Sequence, residues 1–213
     1  FLPTTSTKKI VFNYNNTITA AIFNTDTFEI QNNYNVMSGA LTTSNNAVLL
    51  FSGAVGYSSF ATTAGFTNNG KIHFLSNGCN GTNLQCNVGT IINASTGLIQ
   101  SDPGAGCYGY NQMQGSIINQ GTINVNYDLH WLLNAQTGEN TGTIIISKTK
   151  QLYVHGGTFN YNGGSTIING TGTPPTTGNI YYYQTAAHMN VTEMPDAFTF
   201  FDYSSLNSNQ LFM

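Results

Sequence analysis

Short runs in which apolar and polar residues alternate recur along this chain, and each predicts a β-strand with one buried face. The clearest lie in Gly115–Asn126, GSIINQGTINVN. There Ser116-Ile117-Ile118 and Thr122-Ile123-Asn124-Val125 flank Asn119-Gln120-Gly121. Looser copies are Phe66–Phe74 (FTNNGKIHF), Ile91–Gln100 (IINASTGLIQ), Glu139–Ser147 (ENTGTIIIS) and Thr158–Asn169 (TFNYNGGSTIIN). Each runs apolar residue, Asn, short gap, Gly, then an alternating run led by Ile or Leu. The marking glycines, Gly70, Gly97, Gly121, Gly142 and Gly164, stand 27, 24, 21 and 22 residues apart. A degenerate unit at this period is the signature of stacked repeats.

The spacing predicts an all-β fold, a parallel β-helix (solenoid) of about seven coils. The Gly is expected to supply a positive φ at a corner, and the Asn to stack on its equivalents in neighbouring coils. Ile72, Ile99, Ile123 and Ile144 then fall in one column. The alternative is an antiparallel, pilin-like β-sandwich completed by a donated N-terminal strand, in which Asn-Asn-Gly and Asn-Gln-Gly are hairpin turns. The near-constant spacing favours coils, because hairpins need no common period.

Three segments follow from the pattern: a flexible lead at 1–9, the repeat-bearing β domain at 10–169, and a linker with a C-terminal cap or extra β segment at 170–213. Ile10–Ile22 (IVFNYNNTITAAI) alternates well enough for a strand or two, and would be the donor strand of the alternative. Asp26 and Asn46 are expected where later copies carry Gly. Tyr127–Leu133 (YDLHWLL) is the only run suited to a helical turn, with Trp131 as a packing plug. The repeat stops after Asn169. Asn179–Gln184 (NIYYYQ) is a further strand, and Phe198, Phe200 and Phe201 suit an end cap.

Composition changes the picture in one respect. Hydrophobic residues are 40% of the 213, but charged residues are only 6%, against about 25% in globular domains. All five basic residues are lysines, and the net charge is −3. That gives no basic footprint for nucleic acid. No apolar run approaches the length of a membrane span. A surface of Asn, Thr, Ser and Gln lacks the charges that discourage edge pairing. Either sugar shields it or self-association, as a homopolymer or laterally, is intended.

Location is read from sequons and cysteines. Asn-x-Ser/Thr occurs at Asn15, Asn80, Asn93, Asn169 and Asn190, candidate glycosylation sites. With the low charge they predict a secreted glycoprotein of the cell surface. The start, Phe1-Leu2-Pro3-Thr4-Thr5, suits a mature N-terminus after cleavage. Of Cys79, Cys86 and Cys107, the pair Cys79–Cys86 encloses a short Gly/Asn loop and is the expected disulfide. Cys107 is then free or bonded between molecules, and its pairing within the chain stays open. Three cysteines and scattered histidines have no metal-ligand spacing, so no metal or cofactor is expected.

Phe66–Phe74, Gly115–Val125 (GSIINQGTINV) and Asn140–Ile168 (NTGTIIISKTKQLYVHGGTFNYNGGSTII) resemble the N-terminal domains of fungal cell-wall adhesins of the hyphally regulated wall-protein family. The likeness covers about half the chain. It implies a right-handed β-helix, glycosylated, on the cell surface, working in adhesion or wall architecture on glycans or abiotic surfaces. Family domains usually add a second β domain with late cysteines, and no cysteine follows Asn169 here. A looser, compositional resemblance is to secreted archaeal pilus or thread subunits, which implies a filament polymerised by strand donation through residues 10–22.

Enzymatic chemistry finds little support in the residues. Glycoside hydrolysis needs paired carboxylates at a set separation. The acids are Asp26, Glu29, Asp102, Asp128, Glu139, Glu193, Asp196 and Asp202, and only Asp26/Glu29 and Glu193/Asp196 are close in sequence. On a strand an offset of three puts two side chains on opposite faces. No arginine is present to clamp an anion. No catalysis is therefore expected, and polysaccharide binding or cleavage is carried as a further alternative. His73 and His155 suit one shared face if register allows, while His130 reads as a packed corner. Tyr108, Tyr110, Tyr181, Tyr182 and Tyr183 are candidates for stacking on sugar rings. Against that, Tyr181–Tyr183 simply alternate between core and surface in one strand.

Overall fold

The computed structural model describes residues 8–54, 56–77, 79–106, 109–169, 178–190, 198–201 and 204–208. Every strand pairing among them is parallel, and the chain is a β-solenoid. The antiparallel sandwich is thereby excluded. Its hairpin turns are instead corners at which the chain passes on to the next face of the coil.

The first face holds eight strands: Lys9–Phe12, Thr27–Ile30, Val48–Phe51, Lys71–Ser76, Leu98–Pro103, Thr122–Val125, Thr143–Ile146 and Ser165–Ile168. A second sheet is bent along its length and makes the other two faces. Thr17–Ile18, Asn33–Met37, Ser58–Thr62, Leu129–Leu132 and Phe198–Phe201 lie on the second face. Ile22–Asn24, Leu41–Thr43, Gly65–Asn68, Thr137–Asn140 and Ser205–Ser208 lie on the third. Thr82–Asn93, Asn111–Asn119, Gln151–Tyr161 and Asn179–Met189 run across both.

The alternating pattern does what a pleated strand requires. In Asn111–Asn119 every second residue is buried, and in Thr122–Val125 Ile123 and Val125 point inward. Ile72, Ile99, Ile123 and Ile144 pair rung to rung and are at most 1% exposed, so the expected column is present. Trp131 is fully buried, with its ring edge-on to Phe159 at 5.2 Å and its indole N–H on the Gly115 carbonyl at 3.3 Å.

The asparagine column is a hydrogen-bonded ladder. The amide of Asn68 donates to Asn93 Oδ1 at 2.8 Å, Asn93 to Asn119 at 2.7 Å, and Asn119 to Asn140 at 2.7 Å. All four residues have no exposed surface. A spare amide proton turns to the corner carbonyl: Asn68 to Gly70, Asn93 to Gly97 and Asn140 to Gly142. Satisfied in this way, the buried amides avoid the cost of an unpaired polar group in the core.

The marking glycines have a different cause from the one expected. None of Gly70, Gly97, Gly121, Gly142 and Gly164 has positive φ. They are required by close approach: a methyl group at Gly121 would lie 2.2 Å from the Gly97 carbonyl oxygen, and one at Gly142 2.1 Å from that of Gly121. Positive φ occurs at the bend between the second and third faces, at Gly65, Gly89, Gly115 and Gly157, with Gln184 continuing the series.

Several boundaries move. Val48, not Ala47, pairs with Lys71, so Ala47 rather than Asn46 stands under Gly70; Asp26 is placed as expected. Tyr127–Leu133 forms no helical turn, because Leu129–Leu132 is a strand on the second face. The coil also continues past Asn169. Asn179–Met189 pairs with Gln151–Tyr161 over ten positions, and Phe198–Phe201 and Ser205–Ser208 add to it in turn. The lead is shorter than drawn, since Lys9 already lies in a strand. Ile10–Ile22 is no single strand but parts of three, paired to the next coil of its own chain.

Candidate functional site

In-register parallel strands place each outward side chain over its equivalent one rung away, roughly 4.8 Å distant. On the second face this register stacks rings. His130 lies beside Tyr153 and Tyr153 beside Tyr181; in the adjoining column Leu132 is followed by His155 and Tyr183. His130 and Tyr153 have centroids 4.6 Å apart with planes 17° apart. The values are 5.4 Å and 19° for Tyr153 and Tyr181, and 5.0 Å and 10° for His155 and Tyr183. Tyr182, between them in sequence, is fully buried. The alternation expected for Tyr181–Tyr183 therefore holds, and it builds the outer wall.

At one end of this wall lies an open groove of about 320 Å³ lined by Tyr110, Gln112, His130, Leu132 and His155. Tyr110 is half exposed and stands edge-on to His130 at 6.2 Å and 68°. His130 Nδ1 and His155 Nε2 are 3.2 Å apart, a hydrogen bond.

The electrostatics favour a neutral surface. Burial, then the charge His155 would carry, pulls His130 down to about 4. Burial lowers His155 as well. Tyr153 is raised, first by burial and then by the carboxylate of Asp128 and the neighbouring tyrosines. Asp128 is itself raised by burial, although it accepts the Gln151 backbone N–H and lies near Lys150.

A second polar cluster lies on the first face. His73 Nε2 and Asp102 Oδ2 are 2.7 Å apart, Asn126 donates to Asp102 Oδ1 at 2.8 Å, and Gln100 also donates to Asp102. Burial and Lys71 outweigh Asp102 in lowering His73. His73 and His155 therefore occupy different faces, and the partner of His155 is His130, which is no packed corner.

The other expected sites fall out as follows. Asn15, Asn169 and Asn190 are exposed and Asn80 is half-buried. Asn93 is not a glycan site in the folded chain, because its amide is inside the ladder. The Cys79–Cys86 disulfide is not formed. Cys79 is disulfide-bonded, but Cys86 is a free thiol pointing into the core, in register with Thr62 and Gly115. Cys107 and Tyr108 lie outside the described residues, as do Glu193 and Asp196.

Glu29 is held by Lys9 and Gln31, and Glu139 accepts from Asn162. Among the described residues no group of three or more His, Cys, Asp or Glu gathers to hold a metal ion, and no helix is long and apolar enough to cross a membrane. No protein-family profile, curated protein or solved structure matches the chain.

Proposed function

We propose that this chain is a non-catalytic glycoprotein of the extracellular surface that works in adhesion, with carbohydrate as the material it contacts. The observation that carries the reading is the ring wall of the second face. A solenoid with 6% charged residues can earn little affinity from ion pairs. Aligned Tyr and His rings bring apolar area for sugar C–H faces, together with polar edges for hydroxyls. The resemblance of Gly115–Val125 and Asn140–Ile168 to hyphally regulated wall adhesins points the same way.

The test is retention of the purified chain on immobilised fungal, plant and bacterial polysaccharides. Tyr181→Ala with Tyr183→Ala is expected to lower retention at least tenfold, and His73→Ala, on the other face, to leave it unchanged. Equal retention of all three proteins, or turnover of any polysaccharide, would overturn the reading.

Self-association has its own observation. Ile10, Val11 and Phe23 on the first coil are 47%, 40% and 66% exposed, and among the described residues Lys9–Phe12 pairs only with Thr27–Ile30. That open edge suits a second copy. Light scattering across a dilution series would test this, with a Val11→Lys variant expected to be monomeric.

A further inference from the structure

We propose that the first coil of one molecule stacks head to tail on the last coil of the next, so that the solenoid runs on from copy to copy as an open filament; this rests on the self-association reading above and names its partner surface.

The core is open at its first rung. Ile10 stands in register with Phe28, and Phe28 with Leu49 and then Ile72, so the Ile10 side chain faces the core. Phe28 and Leu49 are 1% exposed, yet Ile10 is 47% exposed. Ile18 and Ile22 stand in register with Met37 and Leu41 in the same way. Met37 and Leu41 are buried, whereas Ile18 and Ile22 are only partly so. The second coil has a rung on either side; the first, among the described residues, has a rung on one side only. A soluble solenoid needs a terminal repeat with a polar outer face. The first coil shows core-type residues instead.

The last coil is open too. On the third face one core column starts at Ile22 and passes rung by rung through Ile91, Phe159 and Ala187 to Leu206. Ala187 is buried, but Leu206, one rung further and facing the same way, is 40% exposed. The column therefore ends, at the head and at the tail, on an apolar side chain that faces inward and still meets water.

Three features make a second copy the occupant and head to tail the order. Every strand pairing is parallel, so a copy moved along the solenoid axis offers the first coil an edge of the right strand direction, with Leu206 set to meet Ile22. A closed head-to-head dimer would cover one end of each molecule and leave Leu206 in water, whereas a heterologous contact covers both ends and propagates. Charge separates the two orders as well. Lys8 and Lys9 lie at the first coil, so a head-to-head contact would bring the lysines of two copies together. No lysine follows Lys150, and Glu193, Asp196 and Asp202 fall in sequence between the last three strands. Head-to-tail order sets a basic first coil toward an acidic last stretch of chain. The column from Ile22 to Leu206 has nine rungs of about 4.8 Å, which gives such a filament an axial repeat of roughly 43 Å.

The experiment pairs cross-linking with light scattering. Ile22→Cys and Leu206→Cys proteins are mixed and mildly oxidised, since in-register neighbours one rung apart lie within disulfide reach. The mixture is expected to give a covalent dimer, and each protein alone is not. Ile10→Lys and Leu206→Lys, both at exposed positions, are each expected to weaken association at least tenfold. Their mixture is expected to recover dimers and nothing larger, because one free head meets one free tail. Electron micrographs of the wild-type filaments are expected to show the axial repeat of roughly 43 Å. Cross-linking of the Ile22→Cys protein to itself, or association that Leu206→Lys leaves unchanged, would overturn the head-to-tail order and leave self-association standing. A wild-type chain that stays monomeric across the whole dilution series would overturn both.

Discussion

The side-chain amide of Asn93 donates to Oδ1 of Asn119 one rung away, at 2.7 Å, with neither residue exposed to solvent. Asn119 donates onward to Asn140, so it must be both acceptor and donor. A side-chain amide does this without charge, its oxygen accepting and its NH2 donating. Asn119→Ala is expected to cost about 2–4 kcal/mol in denaturant unfolding. Asn119→Asp places an acceptor against Asn140 Oδ1 and is expected to cost more at pH 7. Burial raises such a carboxyl, so the folded state would hold a proton the unfolded state has lost, and stability of this variant should rise as the pH falls toward 4. Glycopeptide mass spectrometry of folded protein should find Asn93 bare, because a glycan there cannot coexist with the ladder.

The two kinds of glycine separate by substitution. At Gly121 an added methyl meets the Gly97 carbonyl at 2.2 Å, and the expected loss is about 3 kcal/mol or more for Ala and no less for Asn. At Gly163 nothing lies within 4 Å, but φ is 89°. Ala there should cost about 1–2 kcal/mol, with Asn costing less because it tolerates the left-handed region. Equal penalties for Asn and Ala at Gly163 would remove the conformational explanation.

What was legible followed from repetition with fixed chemistry. The period, the Ile72–Ile144 column and the Asn68–Asn140 ladder each repeat one residue type at one corner or strand position. Where a rung keeps the shape and changes the residue, the pattern is lost. Tyr161 takes the place in register with Asn140 and bonds Thr166 instead, which hides the later coils. Ala47 replaces glycine one step from Asn46. The wall was legible only in part, because Tyr181–Tyr183 form one run of tyrosines while His130, Tyr153 and His155 stand singly along the chain. The spacing of His130 and Tyr153, 23 residues and then 28 to Tyr181, is near the coil length and was the available signal. The disulfide misled because short loop length says nothing of direction, and Cys86 points inward.

Cys86 is a buried free thiol raised by burial, whereas Cys79 is oxidised. Alkylation of Cys86 without reductant should therefore be slow in the native protein, and after denaturation should label Cys86 and not Cys79. Labelling of Cys79 under those conditions would contradict the assignment. Cys86→Ala should cost about 1–2 kcal/mol as a small core cavity.

Acid should loosen the ring wall before it touches the carboxylates. Unfolded imidazole titrates near 6.5, but His130 in the fold is held to about 4. Between these values the unfolded chain binds a proton that the folded chain refuses, so stability is full above pH 6.5 and falls as the pH drops toward 4. His155 and His73, also lowered, add in the same direction, and Asp128, raised by burial, opposes them. Glu29 and Asp102 are lowered and lose their contribution only below the ordinary carboxylate range. The part owed to His130 is thus isolated by difference. With the groove open to solvent it is on the order of 1–2 kcal/mol rather than the full shift. His130→Gln keeps a hydrogen-bonding side chain without a titrating one, and its stability profile between pH 7 and 4 should be flatter than wild type by that amount. Parallel profiles would mean that the fold does not hold His130 neutral, and the donor–acceptor pairing with His155 would lose its basis.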